Sequence, residues 1–180
     1  MRLVLGNQYV ALMKDGALLQ LSVDIKDGGM VGHRFGFYPC PVLVPDDFNV
    51  LDFEALDLML MDEIESCLQA FGSESGIRID QFRMRSPLRF DYAPHAATTN
   101  EPASHLHILN HDARIAVQGP LSLGHFVQFV FKHFYPKDWR DERLGRLTRW
   151  PIRDMGRTIS PEEESTLHIN FRRPLAAGPV

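Results

Sequence analysis

Apolar and polar residues alternate with a period of two in some stretches of this chain and with a period near 3.6 in others, which divides it into strands and helices. Residues 8–13 and 18–25 are apolar-rich and joined by Lys14-Asp15-Gly16-Ala17, whose Asp-Gly pair predicts a tight hairpin. Residues 33–38 read as a third strand, closed by Pro39-Cys40-Pro41. From 52 to 71, Phe53, Leu56, Leu60, Ile64, Cys67 and Leu68 recur three and four apart. That spacing predicts a helix, with Asp52 as its N-cap, Gly72 as its stop, and Met59 and Met61 as core filler.

The second half repeats the alternation. Strands are expected at 81–84 and 88–92, then at 104–109 and 114–117 as a hairpin across Asn110-His111-Asp112. Ser122 is placed to cap a second helix carrying Phe126, Phe129, Val130, His133 and Phe134, which Tyr135-Pro136 ends. A short helix over 138–147, a solvated turn at Ser160-Pro161-Glu162-Glu163-Glu164 and a last strand over 166–171 complete the pattern. The class is α+β. A mostly antiparallel sheet with two main helices packed on one face, and an opposite face left to water, is the simplest arrangement.

The period of two also says which residues share that opposite face. His105 and His107 oppose Leu106 and Ile108; Arg89 and Asp91 oppose Phe90 and Tyr92; His168, Asn170 and Arg172 oppose Leu167, Ile169 and Phe171. With Arg114, they make a His/Arg face. His33 falls instead with Phe35 and Phe37 and is expected in or beside the core, while His95, His111 and His125 fall on loops or a helix surface.

A length of 180 residues with 44% hydrophobic residues suits a single domain, 1–180. No apolar run approaches the roughly 20 residues that span a bilayer, and the start of the chain lacks a signal-peptide core, so a cytoplasmic protein without a membrane partner is expected. Cys40 and Cys67 sit in unlike contexts and read as buried thiols rather than as a disulfide or metal pair. The net charge of −4 divides unevenly. Residues 1–100 hold 8 Lys+Arg against 14 Asp+Glu, and residues 101–180 hold 11 against 9 with six of the eight histidines, so the second half is better suited to anions. Between 137 and 157, Arg140, Arg143 and Arg146 are interleaved with Trp139 and Trp150, a composition that suits nucleic-acid backbones and stacked bases. A solvated connector with arginines paired to Asp138, Asp141, Glu142 and Asp154 would have the same composition.

Two chemistries fit the His/Arg face. In metal-independent phosphodiester cleavage, His105 and His107 serve as acid and base, Arg114 clamps the phosphate and His168 assists, because histidine titrates near neutrality and arginine binds phosphate oxygens two at a time. Alternatively His-x-His with Asp91 as third ligand can chelate a metal, although no HExxH or cysteine set accompanies it. The expectation from the sequence is no cofactor and no metal. Gly-x-Ser-x-Gly is absent, and Gly28-Gly29-Met30-Val31-Gly32 lacks the lysine of a phosphate loop.

The run Leu88-Arg89-Phe90-Asp91-Tyr92, Ser104-His105-Leu106-His107-Ile108, Arg114-Ile115-Ala116-Val117, Pro120-Leu121-Ser122, Phe126 and Phe134-Tyr135, with His33-Arg34-Phe35-Gly36-Phe37-Tyr38-Pro39 before it, resembles an uncharacterised bacterial domain family of unknown function. The resemblance implies a stand-alone bacterial protein of the kind found in mobile or defence gene cassettes, and supplies no mechanism. The reading that follows is a protein that binds a phosphate ligand, a nucleic acid before others, through Arg89, Asp91, Asn170, Arg172 and the 137–157 arginines, and acts as a nuclease or phosphodiesterase. A non-catalytic interaction or sensor module, the small subunit of a multi-protein system docking a protein from its own operon, is the alternative. The oligomeric state is left open by the sequence.

Overall fold

The computed structural model describes residues 9–41, 44, 86–98, 101–108, 113–140 and 155–170. The predicted helix over 52–71, the strand over 81–84 and the turn at 110–112 lie outside these residues. Seven strands follow one another in sheet order: β1 (Ala11–Leu12), β2 (Leu18–Lys26), β3 (Gly29–Tyr38), β4 (Leu88–Tyr92), β5 (Ser104–Ile108), β6 (Arg114–Val117) and β7 (His168–Ile169). With helices α1 (Leu123–Phe134), α2 (Pro136–Trp139) and α3 (Pro161–Glu164), the fold is α+β as expected. The chain divides into two compact units, Met1–Leu21 with Gly36–Pro87, and Ser22–Phe35 with Leu88–Val180.

In the first unit β1 and β2 pair antiparallel, Ala11 opposite Leu19, around the expected Asp15-Gly16 turn. Gly16 takes φ +76°, a left-handed conformation that glycine adopts without strain, and Asp15 accepts a hydrogen bond from the Ala17 amide. Ala17, Leu18, Leu19, Phe37 and Cys40 are buried there.

In the second unit the third strand starts four residues before the expected His33. The reason is a second Asp-Gly turn: Asp27 at φ 52° and Gly28 at φ 76° have the two positive φ angles that a two-residue hairpin needs. β4, β5 and β6 pair antiparallel, and β6 pairs parallel with β7, Ala116 opposite His168. The last strand is thus shorter than the predicted 166–171 and runs parallel to its neighbour, since the chain crosses over through α1 and α2 before returning.

Helix α1 covers the apolar face as predicted. Ser122 caps it by accepting from the His125 amide, and its Phe126 meets Phe35 and Phe90 at ring-centroid distances of 5.6 and 6.2 Å. Phe35, Phe90, Leu106, Val117, Leu121, Phe126 and Val130 form the core of this unit. Burying a phenylalanine in such a core stabilises the fold by about 1.5–3 kcal/mol. Two expectations are corrected. The predicted turn at Ser160 is one turn of helix, α3, closed by a capping box in which Ser160 accepts from the Glu163 amide and Glu163 accepts from the Ser160 amide. The helix predicted for 138–147 starts earlier, at Pro136, as α2, which ends at Trp139; the rest of that prediction falls in residues 141–154, outside those described. Among the described residues, no helix is long and apolar enough to cross a membrane.

Candidate functional site

The register of three adjacent strands assembles the His/Arg face. Asp91 on β4 lies opposite His105 on β5, and Arg89 opposite His107; on the other side His105 lies opposite Ala116 of β6, and His107 opposite Arg114. Because all these positions share one parity, the side chains of Arg89, Asp91, His105, His107 and Arg114 stand on one face.

At its centre His105 Nε2 is 3.0 Å from His107 Nε2, and His107 Nε2 is 3.5 Å from Asp91 Oδ2. His105 Nδ1 lies 2.6 Å from the Pro102 carbonyl oxygen, so Nδ1 carries the proton and donates it, leaving the Nε2 lone pair directed at His107. Arg89 grips Asp91 with Nε 3.1 Å from both carboxylate oxygens and Nη2 3.0 Å from Oδ2, and Arg34 Nε stands 3.5 Å from Oδ1. Arg114 pairs with Glu101 at 3.2 Å.

The face was expected to be wet, and at this point it is not. His105, His107 and Asp91 are 7%, 5% and 7% exposed, because they pack on one another while Arg34 and Arg89 close on the carboxylate. Burial, then the positive charge of Arg89, holds the pKa of His107 down at about 4, so its ring is neutral at pH 7. His107 Nδ1 is buried without a hydrogen-bond partner among the described residues. Beside the cluster a cleft of about 560 Å³ is lined by Pro102, Arg114, Ala116, Thr158, Ser160 and Thr166, among others. Its wall includes the β6 partners of both histidines, Ala116 and Arg114.

Among the described residues, the other expected site residues are not brought to this cluster. His168 is two strands from His105 in the register, its Nδ1 donating to the Thr166 carbonyl oxygen at 3.1 Å. Asn170 is exposed after β7; Trp139 ends α2, and Arg140 follows it, exposed. Arg143, Arg146, Trp150 and Arg172 lie outside the described residues. Sequence reading passed over Arg34, although its alternation with His33 and Phe35 already put it on the Asp91 face, and over Pro102, whose contribution is a backbone carbonyl with no side-chain signal.

A family model described as an uncharacterized conserved protein, DUF2290, matches residues 2–171. The chain belongs to the DUF2290 family. The match spans both the 33–39 and the 88–135 motifs on which the resemblance rested, and the family description carries no activity. No curated protein and no solved structure matches the chain.

Proposed function

We propose that this DUF2290 protein binds a phosphodiester, as part of a nucleic acid, against the face formed by Arg34, Arg89, Arg114, His105 and His107, and cleaves it there. The observation that carries the reading is the convergence of arginines from three strands on a buried pair of histidines. Three guanidinium groups face two carboxylates, Asp91 and Glu101, which leaves the face cationic in a chain that is acidic overall. Side-chain exposures of 53% at Arg34 and 25% at both Arg89 and Arg114 leave guanidinium surface for phosphate oxygens, with which arginine forms paired hydrogen bonds.

The histidines act as one unit in this scheme. His107 Nε2–H donates to the His105 Nε2 lone pair, so the neutral His107 keeps a lone pair on Nδ1, and that nitrogen is the base that takes the proton of an attacking hydroxyl. The arginines stabilise the negative charge that develops on phosphorus oxygens. The pair is not arranged as separate acid and base on two sides of a phosphate.

Fluorescence anisotropy with labelled single-stranded RNA, single-stranded DNA and duplex DNA, measured over a salt series, tests the binding half. Three arginine contacts give a slope of log K against log salt near −2 for a single strand, and Arg114→Ala should flatten it by about 0.7. Binding that ignores both salt and Arg114 would remove the reading.

A further inference from the structure

We propose that Asp91, His105 and His107 form a binding site for one divalent transition-metal ion of the zinc class. The inference goes beyond phosphodiester binding and does not require it. Imidazole nitrogens and a carboxylate oxygen are the donor types that such ions take, and ligand bonds of about 2.0–2.2 Å put neighbouring donors about 2.8–3.6 Å apart for angles from 90° to tetrahedral. The two edges, 3.0 Å between the Nε2 atoms and 3.5 Å from His107 Nε2 to Asp91 Oδ2, lie inside that interval, and the three residues offer ligand atoms within 4.8 Å of one another.

The surroundings fit as well. A metal-binding histidine usually donates its other ring N–H to a carbonyl or carboxylate, and His105 does so to Pro102. Arg89 fixes the carboxylate of Asp91 through both oxygens, which orients it toward the histidines at some expense of its charge. All three residues are buried, which separates this group from the acidic surface clusters that hold nothing. Three protein donors leave a coordination position for water or a substrate oxygen, the arrangement of catalytic rather than structural zinc.

The test uses the full chain, stripped with a chelator, dialysed and titrated with Zn²⁺ against a chromophoric competitor, then with Co²⁺ while its visible absorption is recorded. One ion per chain is expected, with Co²⁺ bands far stronger than those of the hydrated ion. His105→Ala/His107→Ala should weaken zinc binding on the order of 100-fold or more, since it removes two of three donors, whereas His168→Ala, two strands away, should leave it unchanged. If the double variant fails to fold, His107→Gln and the wild-type Co²⁺ spectrum decide. No stoichiometric uptake, a Co²⁺ spectrum equal to that of the hydrated ion, or uptake equal in wild type and a folded donor variant would overturn the site. Zinc uptake without nucleic-acid cleavage would leave the metal site standing and end the cleavage reading; cleavage by a protein that takes up no zinc would do the reverse.

Discussion

His105 Nε2 and His107 Nε2, two residues apart on one strand, face each other at 3.0 Å inside the sheet face, with His105 anchored from behind by the Pro102 carbonyl. Neither ring can act without the other. Each single substitution, His105→Ala or His107→Ala, should therefore lower cleavage by about 10²–10⁴-fold, and the double variant should fall less than tenfold further, because residues that act as a unit are not additive. Turnover measured for the four members of the cycle checks this; independent, multiplying losses would mean the histidines work separately.

His33 is buried and stacked on Phe35, with ring centroids 4.2 Å apart, and neither of its ring nitrogens has a hydrogen-bond partner among the described residues. His33→Phe keeps the shape and removes two unpaired polar atoms, so it should raise stability at pH 7 by about 1–3 kcal/mol, read from the urea midpoint. A lower midpoint would show that those nitrogens have partners in solution.

Acid sensitivity follows from the same ring. Burial lowers the pKa of His33 from 6.5 to about 4, so the unfolded chain binds this proton first as pH falls. Stability from this group is complete above pH 6.5 and is lost as pH drops toward 4. The melting temperature of the wild type should fall over that window more steeply than that of His33→Phe; parallel curves would exclude His33 as the cause.

Asp91 receives Arg89 through both oxygens and Arg34 at one. Asp91→Asn removes the negative charge beneath them and should destabilise the protein by about 1–3 kcal/mol, less than for a fully buried pair because both arginines reach solvent. Chemical denaturation checks the value, and an unchanged midpoint would mean that water replaces the carboxylate without loss.

In α1, Ser122→Ala should cost about 1 kcal/mol by removing the acceptor for the His125 amide, and Phe126→Ala about 3–5 kcal/mol by leaving a cavity beside Phe35 and Phe90. Equal losses from the two would contradict the helix packing described.

Much of the second unit was legible from alternation alone, because a one-residue slip would turn His105 and His107 into the core and Leu106 out of it. The side of the sheet and the membership of Arg89, Asp91 and Arg114 followed from parity. Burial did not, since it depends on which strands are neighbours and how far arginine side chains reach, and parity states neither. His168 was misplaced for the same reason: it has the right parity but belongs to a strand on the far side of β6. The Asp27-Gly28 hairpin was readable as the same dipeptide that marked residues 15 and 16, and the parallel pairing of β7 was not, because a crossover leaves no local mark.

The most direct measurement is cleavage of labelled single-stranded RNA, single-stranded DNA and duplex DNA by wild type and by His105→Ala/His107→Ala, with and without EDTA, with circular dichroism confirming that the variant is folded. Cleavage of at least one substrate by the wild type, abolished in the folded variant, is the predicted result; suppression by EDTA would assign the cleavage to the metal-bound protein, and survival in EDTA to the histidine pair alone. No cleavage of any substrate, or equal cleavage by both proteins, would contradict the account and return this DUF2290 protein to the class of non-catalytic interaction modules.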